Sequence, residues 1–147
     1  MFQKILLAYD GSVGSDRALE KATELALLTG GELAVLTVYR HHAMLEASIS
    51  MVRGKLDPGG NLDETMKTTA RETADHAKTR AKAAGVRKVT ASIKAGPPAR
   101  TIVSVAREKG VDLIVVGSRG LGSAEGFLLG SVSHKVTGLA DCPVLVV

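Results

Sequence analysis

Apolar runs and helical spacings alternate along the chain. Ile5 to Tyr9 is a short apolar run that ends at Asp10-Gly11-Ser12, the pattern of a buried strand entering a turn. From Ser15, Ala18, Ala22, Leu25 and Ala26 recur at helical intervals until Gly30-Gly31 stops them. Leu33 to Val38 reads as a second buried strand, interrupted only by Thr37. Tyr39 to Gly60 is the least regular stretch and holds His41-His42, Met44-Leu45 and Ile49 to Val52; a connection of that length points to a functional loop or a disordered one. From Asn61, Met66, Ala70, Ala74, Ala77, Ala81 and Ala84 predict a long amphipathic helix with a small-residue stripe, ending at Gly85.

Val89, Ala91, Ile93 and Ala95 alternate as in a strand, and Gly96-Pro97-Pro98 then opens a helix carrying Ala99, Ile102, Val103 and Ala106 up to Gly110. Val111 to Val116 is a buried strand that runs into the glycine-rich segment Gly117 to Gly130. Ser131 reads as a capping helix start with Val132, Val136 and Leu139 inward, and Cys142 to Val147 closes as a strand. Five strands alternating with four helices, the strands apolar on both faces, predict one α/β domain over residues 1–147: a parallel, doubly wound sheet with helices on both sides.

In such a sheet ligands sit beyond the carboxyl ends of the strands, where the winding reverses. Two strand ends carry suitable chemistry, Asp10-Gly11-Ser12 and Gly117-Ser118-Arg119-Gly120, the latter continuing to Gly130-Ser131. Glycines permit unusual torsions and close main-chain approach to an anion, and a helix start adds unpaired N–H groups. A Walker A loop is excluded, because Gly117-Ser118-Arg119-Gly120-Leu121-Gly122 is followed by Ser123-Ala124 with no lysine. A dinucleotide fingerprint is excluded too, since strand one leads into Asp10-Gly11-Ser12-Val13-Gly14.

Composition narrows the classes further. With 45% hydrophobic and 23% charged residues the chain is globular, and it has no run long enough to enter a membrane. No signal peptide precedes the first strand, so a cytoplasmic location is expected. The lone Cys142 reads as a small buried apolar residue, and clustered metal-ligand spacing is absent. The net charge of +4 is uneven: Lys67 to Lys109 holds 11 Lys/Arg against 3 Asp/Glu. Only Phe2, Tyr9, Tyr39 and Phe127 are aromatic and none interleaves with that run, so it reads as a solvated helix face and nucleic acid is not expected.

The spacing Gly117-x-x-Gly120, nine residues, Gly130-Ser131 resembles the G-2x-G-9x-G-(S/T) signature of ATP-binding universal stress proteins. The resemblance covers the whole chain and implies a Rossmann-like, adenine nucleotide alpha hydrolase-like fold with strand order 3-2-1-4-5. It implies that Asp10 contacts the adenosine, that the main chain near Val38 faces the adenine, and that Gly117 and Gly120 line the ribose and first phosphates. Gly130, Ser131 and Val132 would hold the remaining phosphates, with Ala8, Tyr9, Ser118, Arg119 and Ser133 completing the cofactor-binding set and Mg²⁺ carried by the nucleotide. It further implies a homodimer paired antiparallel through Val144 to Val147, with a tetramer through another surface left open. Tyr39 to Arg53 also resembles universal stress proteins associated with TRAP-type solute transporters, which implies a regulator of a membrane transporter.

Three functional classes stay open: a nucleotide-dependent regulatory protein in stress response, a slow ATPase or nucleotide-transferring enzyme, and a nucleotide-free or flavin-binding scaffold. The residues available for chemistry are few. Arg119, Asp10 and His134 have equally good readings as a loop cation, an adenosine ligand and a surface helix residue, so binding is favoured over catalysis and no metal site or catalytic set is assigned.

Overall fold

A computed structural model describes residues 1–40, 61–119 and 129–147. Strands β1 (Lys4–Ala8), β2 (Glu32–Tyr39), β3 (Val89–Ala95), β4 (Leu113–Val116) and β5 (Val144–Val146) form one parallel sheet in the order β3-β2-β1-β4-β5. Helices α1 (Val13–Thr29), α2 (Asn61–Ala83), α3 (Pro98–Lys109) and α4 (Ser131–Leu139) connect them. The expected fold class and strand order are both present.

Alternation along the strands divides the core. Ile5, Leu7, Leu33, Val35 and Val115 pack with α1 and α2, whereas Leu6, Leu36 and Ile114 pack with α3 and α4. Small residues set the first layer: Ala18, Ala22 and Ala26 of α1 and Ala74, Ala77 and Ala81 of α2 are all at most 2% exposed. Without long side chains, both helices lie close against the same sheet face.

Several boundaries differ from the sequence reading: β1 and β2 each shift by one residue at both ends, and α1, β4 and β5 differ as well. Helix α1 begins at Val13, because the Ser12 hydroxyl accepts the Ser15 N–H at 3.1 Å and caps a first turn that shows no apolar spacing. Strand β4 begins at Leu113, just after Asp112, whose N–H donates to the Lys4 carbonyl (3.0 Å) and whose carboxylate accepts the N–H groups of Gln3 (2.9 Å) and Lys4 (3.0 Å) at the start of β1. Strand β5 is confined to Val144–Val146, although the Pro143 carbonyl already accepts the Ile114 N–H at 3.0 Å. Cys142 is half-buried against the α3 and α4 cluster, and loss of solvent pushes its thiol pKa up.

Candidate functional site

The winding reverses between β1 and β4, whose carboxyl ends open on a cavity of about 310 Å³. Eleven of the twelve site residues expected from sequence line it: Ala8, Tyr9, Asp10, Val38, Gly117, Ser118, Arg119, Gly130, Ser131, Val132 and Ser133. Gly120 lies outside the described residues, as do His41, His42 and the whole of 41–60.

On the β1 side, Gly11 at φ 84° makes the turn that only glycine adopts without strain. Across it, Asp10 Oδ1 accepts the Ser12 N–H at 2.9 Å, which fixes the carboxylate at the cavity edge. The Tyr9 ring turns the other way. It packs in the α1 and α2 cluster, and its hydroxyl donates to Asp16 Oδ1 at 2.6 Å, an oxygen that also accepts from Arg80 Nη1 at 2.9 Å. Burial, reinforced by the hydrogen bond to Asp16, pushes the Tyr9 phenol up to about 12.

On the β4 side, main-chain bonds position the loop: Ser118 N–H donates to the Val147 carbonyl (2.7 Å) and Gly130 N–H to the Ser118 carbonyl (2.6 Å). Ser133 is 1% exposed, and its hydroxyl lies 2.9 Å from the Ser118 carbonyl and 3.1 Å from that of Gly130, sharing one proton between them. It therefore anchors the first turn of α4 to the loop.

Two expectations are corrected here. The N-cap of α4 is Gly130, with no side-chain cap bond, and Ser131 is the first helical residue instead of the cap. Nor do unusual torsions require glycine at 117 or 130: Gly130 has φ −63°, and neither has a left-handed φ. Gly117 is required by proximity. A Cβ there would lie 2.7 Å from the Gly14 carbonyl carbon, and a Cβ on Gly14 would lie 2.3 Å from the Arg119 carbonyl oxygen. His134 is exposed and is not part of the cavity wall.

Three helix amino ends open on the cavity, α1 through Ser12 and Ser15, α3 through Pro98, and α4 through Gly130 and Ser131. Neither α3 nor α4 has a side-chain cap or an acidic residue in its first turn, so their N–H groups and dipoles present positive potential. Arg40 and Arg119 add cationic charge, while Asp10 is the sole acid among the described lining residues. Leu36, Val38, Ile102 and Val116 supply an apolar wall. An anion at the α4 end and a flat apolar group along that wall match this division.

Ser12, named at the end of β1, was not assigned to the site, and Ser15, Leu36, Arg40, Pro98, Ile102 and Val116 were missed by sequence reasoning. Only Arg40 carried a signal, as a cation directly after a strand carboxyl end. The others reach the cavity through tertiary packing.

The universal stress protein family model matches residues 1–147. The chain belongs to the universal stress protein family. Universal stress protein YxiE of Bacillus subtilis is 41% identical across all of this chain and 99% of its own. The solved structure of the hypothetical protein MJ0577 superposes with a TM-score of 0.82 at 29% identity, covering 100% of this chain and 96% of that one. A universal stress protein crystallised in complex with cAMP gives a TM-score of 0.70 at 29% identity, over 99% of this chain and 96% of that one. The five-stranded parallel sheet is thus the fold of this family. Among the described residues, no helix of this family member is long and apolar enough to cross a membrane.

Proposed function

We propose that this universal stress protein binds ATP in the cavity between the β1 and β4 loops and acts as a nucleotide-dependent regulatory protein. The observation that carries the reading is the amino end of α4, which lacks a side-chain cap and opens on a cavity flanked by Arg119 and Arg40. Gly130, Ser131 and Val132 would hold the distal phosphates by main-chain N–H groups and the Ser131 hydroxyl. Val38 would face the adenine, Asp10 the adenosine, and Gly117 with Ser118 the ribose and first phosphate. The relative in complex with cAMP supports an adenine nucleotide as the ligand class.

Among the described residues, no group of three or more His, Cys, Asp or Glu forms a metal site. Mg²⁺ would arrive on the phosphates, as ATP normally carries it. Among the described lining residues Asp10 is the acid that could orient a water or a metal, and its place at the adenosine end favours binding over turnover. Regulation of a TRAP-type transporter rests on residues 39–53 of the sequence, and co-purification with such a transporter is its test.

The nucleotide reading is tested by mass spectrometry of whatever leaves the purified chain on denaturation, together with calorimetry against ATP, cAMP and adenosine. Released adenine nucleotide and tighter binding of ATP than of adenosine are expected. No binding of ATP would overturn it.

A further inference from the structure

The sequence places its basic excess between Lys67 and Lys109, and the nucleotide cavity absorbs none of it. The fold gathers part of it at the opposite end of the sheet. Lys4 and Glu32 are register partners at the starts of β1 and β2, and Leu33 pairs with Val89 of β3, which sets Lys88 beside Glu32. Lys88, Glu32 and Lys4 thus form a row across three adjacent strands, and Lys109 joins it from the last turn of α3. They rim a cavity of about 240 Å³ with buried Ile5 and Leu33 in its floor.

Charge in the cavity does not balance. Lys88 Nζ lies 2.7 Å from Glu32 Oε2, while Lys4 and Lys109 make no ion pair among the described residues. The nearby Asp112 carboxylate is committed to the main-chain N–H groups of Gln3 and Lys4. The Lys88 hydrogen bond holds the Glu32 carboxyl below its usual range, and Lys4 and Lys109 pull in the same direction. A helix carboxyl end attracts cations and accounts for Lys109, but Lys4 and Lys88 belong to strand starts.

We infer that the amino-terminal end of the sheet carries a second anion site, in which Lys4, Lys88 and Lys109 bind a small polyvalent phosphate anion. The three lysines on its rim and its small volume suit a free oligophosphate. Lysines act as separate point charges, which suits an anion with charge spread over several oxygens better than one flat carboxylate. Glu32 occupies the middle of the row as an internal counter-ion that the ligand must outcompete.

The test is a ¹H–¹⁵N NMR titration of the full chain with inorganic pyrophosphate, which reports this site apart from the nucleotide cavity. Saturable shifts are expected at the Lys88, Thr90 and Val111 amides, both in the native chain and in Gly130→Val. The Lys4→Gln/Lys109→Gln double variant keeps the Lys88–Glu32 pair and should weaken those shifts about tenfold. Glu32→Gln should strengthen them, which a lysine row that only complements helix ends does not predict. Absence of saturable shifts at millimolar pyrophosphate, or equal affinity in the double variant, would overturn the site. A duplex oligonucleotide binding through the same amides more tightly than pyrophosphate would overturn the assignment to a small free anion.

Discussion

Gly14 and Gly117 meet main chain to main chain: a Cβ added at Gly117 would lie 2.7 Å from the carbonyl carbon of Gly14. The start of α1 and the end of β4 therefore form one rigid wall, and no side chain separates the two loops that frame the cavity.

That contact sets two effects against each other in Gly14→Ala. Alanine gains about 1 kcal/mol of helix propensity inside α1, but its Cβ would sit 2.3 Å from the Arg119 carbonyl oxygen. Overpacking against fixed backbone costs about 1–3 kcal/mol, so a net loss is expected. Urea unfolding should show a lower midpoint with an unchanged slope. A stabilised Gly14→Ala would mean that the wall is not tight.

Ser131 and Ser133 are two residues apart and should fail differently. Ser133→Ala removes a buried hydroxyl bond and is expected to cost about 0.5–1.5 kcal/mol of stability, seen in the same unfolding assay. Ser131 is exposed at the first position of α4, so Ser131→Ala should leave stability unchanged and weaken ATP by about tenfold to hundredfold.

Tyr9 links alkaline pH to stability. Its phenol is held up at about 12 in the fold against an ordinary 10.0 when unfolded, so the neutral form is favoured by folding. This contribution is complete below pH 10 and is lost as pH rises towards 12. Tyr9→Phe lacks the titration, and the difference between its stability and that of the native chain should narrow across that window in denaturant melts. In Asp16→Asn the phenol should titrate lower, because the accepting carboxylate that disfavours phenolate is gone.

The edge strand β5 is apolar, Val144-Leu145-Val146. If the chain pairs through this edge as the family resemblance implies, that homodimer is expected to dissociate or precipitate in Leu145→Lys, as read by light scattering. An unchanged dimer would place the interface elsewhere.

The strands were legible because Ile5 to Leu7 and Leu113 to Val116 are buried on both faces, which writes a continuous apolar run into the sequence. Their order was not legible from periodicity, because parallel strands of similar composition can be arranged in several ways; it came from the family resemblance. The polar loops at Asp10 and Gly117 were found as strand ends carrying glycine. The role of Gly14 was hidden, since what forbids a side chain there is the carbonyl of Arg119, 105 positions away along the chain. Pro98 and Ile102 were hidden likewise: each reads as an ordinary helix residue until α3 packs beside β2.

Calorimetry of ATP and adenosine with Gly130→Val tests the central claim most directly. Gly130 has an ordinary extended torsion, so valine at the N-cap is tolerated by the backbone and acts through bulk at the mouth of the α4 amino end. The account predicts a large loss of ATP affinity with adenosine affinity nearly retained, because only the phosphates would meet this residue. ATP binding at native strength in Gly130→Val would contradict it, and the start of α4 would not be the phosphate site.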